Sequence, residues 1–146
     1  MKRRAAGKRS ADVRTEPSGL TDLVRLARRA RKRAHAPFSH FKVGAALRAK
    51  TGEIVTGCNV ENASYGLTLC AERVAVFKAV SEGIRAFDAV VVAADSKRLA
   101  APCGPCRQIL WEFCGDIWVH MVNLDGRSRT MRLSELLPFP FDARSL

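Results

Sequence analysis

The sequence predicts an α/β fold in which helices cover a mixed β-sheet. Two observations favour this class. Apolar residues recur at helical spacing in three segments, and the remaining apolar segments alternate or run continuously, as strands do. The resulting order is helix, hairpin, helix, strand, helix, strand, which is typical of layered α/β domains. The 146 residues, 47% hydrophobic and 27% charged, suffice for one globular domain and exclude a wholly disordered chain.

The first predicted helix begins at a cap on Thr21 or Asp22 and runs to about Ala34. Its apolar residues share one face and its arginines the other, as in a helix packed on a core. Pro37 ends this helix.

A hairpin follows, because residues 43–48 and 53–60 are strand-like and Thr51-Gly52 between them favours a turn. Residues 59–66 are polar and predict a loop. The second helix is predicted over 69–82, where apolar residues recur at helical spacing and Gly83 stops it.

The second half of the chain repeats a strand–helix–strand order. Residues 88–94 are nearly all apolar and predict a buried strand. A helix over 104–113 ends at Gly115, and a strand follows over 117–122. After the turn at residues 125–126, residues 130–133 predict a short last strand or a strand-to-helix junction.

The net charge of +11 suggests a nucleic-acid or anionic partner, but the charge is uneven. Residues 1–33 carry 12 Lys/Arg against three acids, whereas residues 34–146 carry 13 against 11. Residues 1–17 lack apolar periodicity and are predicted to be a disordered basic arm, followed by a folded domain over 18–146. The arm fits a solvated tail or a weak phosphate-binding segment, and its two acids argue against a transit peptide.

No segment predicts export or membrane insertion. The longest uncharged apolar run, residues 89–94, is too short to cross a bilayer, and the basic start lacks the apolar stretch of a secretory signal. We therefore expect a cytoplasmic protein in a reducing compartment. There, five cysteines indicate metal binding or catalysis rather than a disulfide framework.

Three of these cysteines open predicted helices. Cys70 begins the second helix, and Cys103 and Cys106 begin the third. Both helices follow strands, so their starts should meet at one sheet edge, where the positive end of each helix dipole lowers thiol pKa values. Three thiolates suit Zn²⁺ and leave its fourth coordination position to water, as in catalytic zinc sites.

Glu72 lies two residues after Cys70, close enough to move a proton without being a ligand. Cys-x-Glu followed by Pro-Cys-x-x-Cys is the pattern of zinc nucleobase deaminases. The chain has this pattern as Cys70-Ala71-Glu72 and Pro102-Cys103-Gly104-Pro105-Cys106.

Five stretches together resemble the small cytidine deaminases of pyrimidine salvage. In chain order they are APFSHFKVGAA from Ala36, GCNVENASYG from Gly57, CAER from Cys70, PCGPCRQ from Pro102 and ELLP from Glu135. The resemblance implies a three-layer α/β/α fold with a mixed five-stranded sheet and a catalytic domain over 18–146. It also implies hydrolysis of cytidine and deoxycytidine to uridine and deoxyuridine, with release of ammonia.

The resemblance further assigns roles. It implies one zinc ion per subunit on Cys70, Cys103 and Cys106, with Glu72 as the proton shuttle. Substrate binding falls to Phe41, Val43, Asn59, Glu61 and Ala71. Members of the family are typically homotetramers, and Tyr65 and Phe141 match positions that reach into sites shared between subunits.

Arg73 and Arg107 are candidates for tuning the charge of the zinc site. Zn²⁺ with three thiolates carries a net charge of −1, which weakens its action on water, and a cation bonded to a thiolate offsets this. Arg73 matches the family arginine in that role. Cys58 and Cys114 fit buried core thiols.

Four alternatives remain beside this interpretation. Cys103-Gly-Pro-Cys106 alone is a thioredoxin-like redox motif, but redox chemistry leaves Cys70 and Glu72 unexplained. A structural zinc site would need a fourth ligand. A blasticidin-type deaminase should lack the stretch from Asn59 to Tyr65. A polynucleotide deaminase would explain the net charge, but it needs basic and aromatic residues beside the pocket, and typically has His at the position of Cys70.

Overall fold

A computed structural model describes residues 16–146, which form a five-stranded sheet between two layers of helices. The strand order is β2-β1-β3-β4-β5, and only the central β3–β4 pair is parallel. The strands are β1 (Val43–Ala49), β2 (Ile54–Cys58), β3 (Phe87–Ala94), β4 (Trp118–Asn123) and β5 (Ser128–Arg132). The mixed five-stranded sheet is as predicted.

The helices divide between the two faces of the sheet. They are α1 (Leu20–Arg31), α2 (Ala71–Ser81), α3 (Gly104–Cys114) and α4 (Leu133–Leu136), with 3₁₀ turns at Tyr65–Leu67 and Ala143–Ser145. Helix α1 packs on one face of the sheet, and α2, α3 and α4 pack on the other. The three-layer α/β/α prediction is therefore confirmed.

Each face of the sheet has its own apolar core, because side chains alternate along a strand. In β1, Ala45 and Leu47 face α2 and α3, while Ala46 between them faces α1. Nearly every residue of β3 is buried, since the strand lies at the centre of the sheet and both of its faces are covered.

The first helix differs from its prediction at both ends. It begins at Leu20, so Thr21 and Asp22 lie in its first turn and Gly19, at φ 73°, occupies the N-cap. It ends at Arg31, well before Pro37, because the following backbone pairs with another segment. The N–H of His35 donates to the carbonyl of Asn59 at 3.0 Å, and the carbonyl of His35 accepts from Glu61 N at 2.8 Å. Tertiary pairing here outweighs helix propensity.

The last predicted segment proves to be both a strand end and a helix start. Strand β5 ends at Arg132 and α4 begins at Leu133. The carboxylate of Glu135 accepts from Arg132 N at 2.6 Å, and that of Asp116 accepts from Ser134 N at 2.8 Å. These side chains satisfy N–H groups at the helix start, and local spacing cannot reveal the contribution of Asp116, which is distant in the sequence.

The topology brings the starts of α2 and α3 to the same edge of the sheet. Strands β2 and β3 both run antiparallel to β1, so they run in the same direction and end on the same side. Helix α2 follows β2 and helix α3 follows β3. The first turns of both helices, with their cysteines, therefore meet beyond the ends of these strands.

Two of the sequence predictions concern the basic arm and membrane insertion. The predicted basic arm over 1–17 lies outside the described residues, apart from Glu16 and Pro17. Within residues 16–146, the helices are too short or too polar to cross a membrane.

Two glycines set how closely the helices approach the sheet. A Cβ on Gly44 would collide with the carbonyl of Ala27 and lie 2.9 Å from Arg31 Cα, both in α1. A Cβ on Gly57 would collide with the carbonyl of Ala71 and lie 2.6 Å from Ala75 N, both in α2. Only glycine allows this approach, so Gly57 fixes the position of the first turn of α2.

Gly57→Ala should therefore destabilise the fold. The added methyl meets helix backbone that cannot rotate away, and overpacking of this kind costs about 1–3 kcal/mol of the free energy of unfolding. Urea unfolding at a fixed protein concentration measures the change. Gly66→Ala is the matched control, because nothing lies within 4 Å of the position that its methyl group would take. Equal stability of the two variants would contradict the close-packing account.

Candidate active site

Three thiols converge where α2 and α3 begin. Cys70 is the N-cap of α2, Cys103 is the N-cap of α3, and Cys106 is buried in the first turn of α3. The three sulfur atoms lie within 4.8 Å of one another. The Cys70–Cys103 distance between Sγ atoms is 3.8 Å and the Cys103–Cys106 distance is 3.3 Å. All five cysteines of the chain are free thiols.

This cluster fits a zinc ion. With Zn–S bonds of about 2.3 Å and tetrahedral angles, two ligand sulfurs lie about 3.8 Å apart. The separation of the Cys70 and Cys103 sulfurs equals this value, and the shorter Cys103–Cys106 separation of 3.3 Å needs only a slight movement of these two side chains to reach it. Soft thiolates are donors that Zn²⁺ prefers, and three of them leave one coordination position for water. The geometry and the donor set therefore agree with a catalytic zinc centre.

The environment favours the thiolate form of Cys70. A hydrogen bond from Cys106 is the main cause that lowers the pKa of Cys70 to about 5, against the effect of burial, and Arg73 adds to the lowering. Shared hydrogen bonding with Cys70 and burial raise the pKa of Cys106 instead. The free thiols thus share protons, and a bound cation would displace them.

Arg73 lies against the cluster. Its Nη2 donates to Cys70 Sγ at 3.7 Å and to the carbonyl of Thr68 at 2.9 Å. The second contact holds the guanidinium beside the sulfur. The structure therefore places Arg73 where it can offset thiolate charge.

Arg107, the other charge-tuning candidate, forms hydrogen bonds with backbone carbonyls and not with the thiols. Its Nε donates to the carbonyl of Pro102 at 2.7 Å and its Nη1 donates to the carbonyl of Leu136 at 2.8 Å. Among the hydrogen bonds within residues 16–146, none joins Arg107 to a cysteine sulfur. Arg107 instead ties the loop before α3 to the end of α4, because these carbonyls lie within its reach.

Glu72 is buried in the first turn of α2, with 4% of its surface exposed. Burial raises the pKa of this carboxyl to about 7, and the negative charge of Cys70 acts in the same direction. The same helix turn therefore supplies a metal-ligand candidate and a protonatable carboxyl side by side.

A cavity of about 200 Å³ opens above these groups. Its wall includes Glu72, Cys70 and Cys103, and most of the predicted substrate-binding residues also contribute to it: Phe41, Val43, Asn59, Glu61 and Ala71. Most of the lining is apolar, and its polar groups include the carboxylates of Glu61 and Glu72 and the amide of Asn59. This lining suits a flat heterocycle attached to a polar group.

Asn59 fixes the loop that carries Phe41. Its Oδ1 accepts from Val43 N at 2.8 Å, and its Nδ2 donates to the carbonyl of Phe41 at 2.8 Å. The loop bends at His40, which takes the left-handed conformation at φ 56°. One amide hydrogen of Asn59 remains for another acceptor.

Glu61 is held in the ionised form at the rim of the cavity. A hydrogen bond from the Ser39 hydroxyl is the main cause that lowers the pKa of Glu61, and the backbone N–H of Phe38 contributes at 2.9 Å. The rim therefore carries a negative charge.

Tyr65 and Phe141 do not line this cavity. Tyr65 is 76% exposed and packs edge-on against Phe38, which borders a neighbouring hollow of about 410 Å³. Phe141 is 62% exposed, and its carbonyl accepts from Gln108 Nε2 on α3 at 2.6 Å. Tyr65 itself borders that hollow, which shares Glu61 and Thr68 with the cavity, so neither aromatic ring forms part of the chain's own pocket.

The cavity also contains residues that sequence reasoning missed. Ala100 and Ala101 line it just before Pro102, and the wall also includes Ser39, Thr68, Leu69 and Val92 of β3. Small or apolar side chains carry no chemical signature. Only the closeness of some of these residues to Cys70 and Cys103 in the sequence could have indicated that they line the cavity.

Comparisons with known proteins agree with this geometry. A family model described as the cytidine and deoxycytidylate deaminase zinc-binding region matches residues 18–121. A cytidine deaminase of Halalkalibacterium halodurans is 50% identical over 125 residues, covering 85% of this chain and 95% of the relative.

Solved structures agree as well. The crystal structure of cytidine deaminase from Burkholderia pseudomallei has a TM-score of 0.80 at 45% identity, over 83% of this chain and 98% of that chain. Cytidine deaminase from Mycobacterium tuberculosis has a TM-score of 0.76 at 38% identity, over 86% and 99%. The chain, with its three converging thiols and adjoining buried glutamate, belongs to the cytidine and deoxycytidylate deaminase family.

Proposed function

We propose that this protein is a zinc-dependent cytidine deaminase, which hydrolyses cytidine and deoxycytidine to uridine and deoxyuridine and releases ammonia. The observation that carries the proposal is the convergence of Cys70, Cys103 and Cys106 beside the buried Glu72, at the base of a cavity sized for a nucleobase. The family membership supports the same reaction.

Glu72 is assigned the proton transfers. A zinc ion on the three thiolates would supply acidity to a bound water, bringing its pKa towards about 7. Glu72 accepts one proton of the attacking water and passes it to N3 of cytosine as the water oxygen bonds to C4. It then takes the proton of the new C4 hydroxyl and delivers it to the amine, so that the C4–N bond breaks, ammonia leaves and the C4 carbonyl of uracil forms. Its burial shields these protons from bulk solvent, so one carboxyl can serve each transfer.

The apolar lining of the cavity is assigned to the base, and the polar groups of Asn59 and Glu61 are assigned to the sugar. Phe41 and Val43 pack against the pyrimidine, and the backbone of Ala71 and Cys103 borders its polar edge. The free amide hydrogen of Asn59 and the carboxylate of Glu61 are available to a ribose hydroxyl. Arg73 tunes the charge of the metal site through Cys70.

We also propose that the active form is a homotetramer with shared sites. The exposed aromatic rings of Tyr65, Phe139 and Phe141 support this, because large apolar groups in water mark an interaction surface. In the assembly, Tyr65 and Phe141 complete sites of neighbouring subunits. Light scattering should give a mass of four chains, and a monomer with full activity would contradict shared sites.

The remaining assignments concern the setting of the enzyme. The reaction fits pyrimidine salvage, since it converts one nucleoside into another. A cytoplasmic location is supported by the free thiols, which stay reduced and able to bind metal in a reducing compartment. The catalytic domain is assigned to residues 18–146, where the family match also begins at residue 18.

Glu72→Gln should abolish deamination without loss of metal. Glutamine has the same shape but cannot take the water proton, and positioned proton transfer is worth about 10²–10⁴-fold in rate. Ammonia release and zinc content are measured on the same sample. Glu82→Gln, at the exposed C-terminal end of α2, is the matched control and should keep full activity. Turnover of Glu72→Gln within tenfold of the wild type would refute the assigned role.

Glu61→Gln should weaken discrimination between a nucleoside and its phosphate. The ionised Glu61 repels a phosphate group near the sugar, so cytidine should have a much higher kcat/KM than cytidine monophosphate in the wild type. Removal of the charge should lower the ratio of kcat/KM for cytidine to kcat/KM for cytidine monophosphate by about tenfold or more. Glu112→Gln on the exposed side of α3 is the control. An unchanged ratio in Glu61→Gln would show that Glu61 does not select against the phosphate.

A further inference from the structure

Helix α1 presents a dense row of cations that the deaminase reaction does not use. We call Arg25, Arg28, Arg29, Lys32 and Arg33 the α1 cationic face. All except Arg33 line a shallow hollow of about 460 Å³ on the outer side of the helix. Arg29 and Arg33 also line the adjoining hollow of about 270 Å³. The face is thus one continuous basic surface.

Most of this charge is not neutralised by neighbouring acids. Asp22 pairs with Arg25 at 3.3 Å, and Asp95 pairs with Arg31 beside the face at 3.5 Å. Arg28 Nη2 donates to the carbonyl of Asn123 at 2.7 Å, and this partner carries no negative charge. Within residues 16–146, Arg29, Lys32 and Arg33 take part in no ion pair.

Stabilisation of the helix explains only part of this arrangement. Cations in the last turn interact favourably with the negative end of the helix dipole, which accounts for Arg28 and Arg29. The dipole also favours Lys32 at the C-cap, but its effect fades within about one turn of the helix end and so does not account for Arg25. A face whose like charges repel one another is better explained by an anionic partner.

We propose that the α1 cationic face binds nucleic acid through its phosphates, at a surface separate from the deaminase cavity. The complementary partner carries closely spaced negative charges, and a polynucleotide backbone supplies them. Residues 1–17 add six Lys/Arg against two acids, so the same sign of charge continues along the sequence before α1. Helix α1 covers the sheet face opposite α2 and α3. A nucleic-acid strand bound to α1 therefore leaves the deaminase cavity open.

The structure favours nucleic acid over an anionic membrane. A helix that lies on a bilayer needs a free apolar face to insert, with its cations on the other side. The apolar face of α1, formed by Leu23, Ala27 and Ala30, is already buried against the sheet. The α1 cationic face also lacks aromatic and amide side chains, so the proposed binding does not read bases.

The test uses the full chain and a fluorescein-labelled strand of 20 thymidine nucleotides, which contains no cytosine and cannot be a substrate. Fluorescence anisotropy is measured between 50 and 200 mM salt. The test variant is Arg29→Gln/Lys32→Gln/Arg33→Gln, since glutamine keeps a good helix propensity. The control is Lys50→Gln/Lys78→Gln/Arg85→Gln, which removes the same charge from exposed positions elsewhere.

The test variant should bind at least tenfold more weakly than the wild type at 50 mM salt. Each lost phosphate contact makes the slope of log affinity against log salt shallower by about 0.7, so three give about 2. The control should bind within about twofold of the wild type, and both variants should deaminate cytidine normally.

Three outcomes would overturn the proposal. One is the absence of strand binding by the wild type at 50 mM salt. Another is equal weakening in the test and control variants, which would show that net charge alone matters. The third is that the wild type binds vesicles of phosphatidylcholine and phosphatidylserine but not the strand, which would make the partner a membrane.

Discussion

Three sulfur atoms from two helix starts have to meet within a few ångströms, and the arrangement of the sheet serves that requirement. Strands β2 and β3 run in the same direction, and each is followed by a helix. Cys70 and Cys103, at the starts of these helices, therefore lie at the same edge of the sheet. Gly57 lets α2 settle on β2, which brings Cys70 and Glu72 to their places together. A shift of either helix would separate the ligands, the proton carrier and the cavity at once.

The same constraint explains which site residues the sequence could predict. Cysteines and a glutamate at fixed spacing on two helix starts carry a chemical signature, so Cys70, Glu72 and Cys103 could be placed from the amino-acid pattern alone. Their juxtaposition follows from strand direction. Arg107 could not be placed this way, because its two carbonyl partners, at Pro102 and Leu136, are brought to it by tertiary packing.

Prediction of the fold from the sequence was limited in a similar way, because some element boundaries depend on tertiary contacts. Apolar periodicity predicted β1 to β4 and the three long helices, since burial on the sheet produces those patterns. The C-terminal end of α1 was predicted too late, because pairing of His35 with Asn59 and Glu61 competes with the helix. The short α4 could not be separated from β5, since its start depends on the distant carboxylate of Asp116. Long-range hydrogen bonds therefore set the boundaries that local patterns miss.

The most direct test of the central claim is to follow zinc content and ammonia release from cytidine on one sample during chelation and zinc re-addition. We expect one zinc ion per chain, activity that falls in proportion to the zinc removed, and recovery of activity when zinc is restored. Full activity in a sample holding less than a tenth of a zinc ion per chain would contradict this expectation.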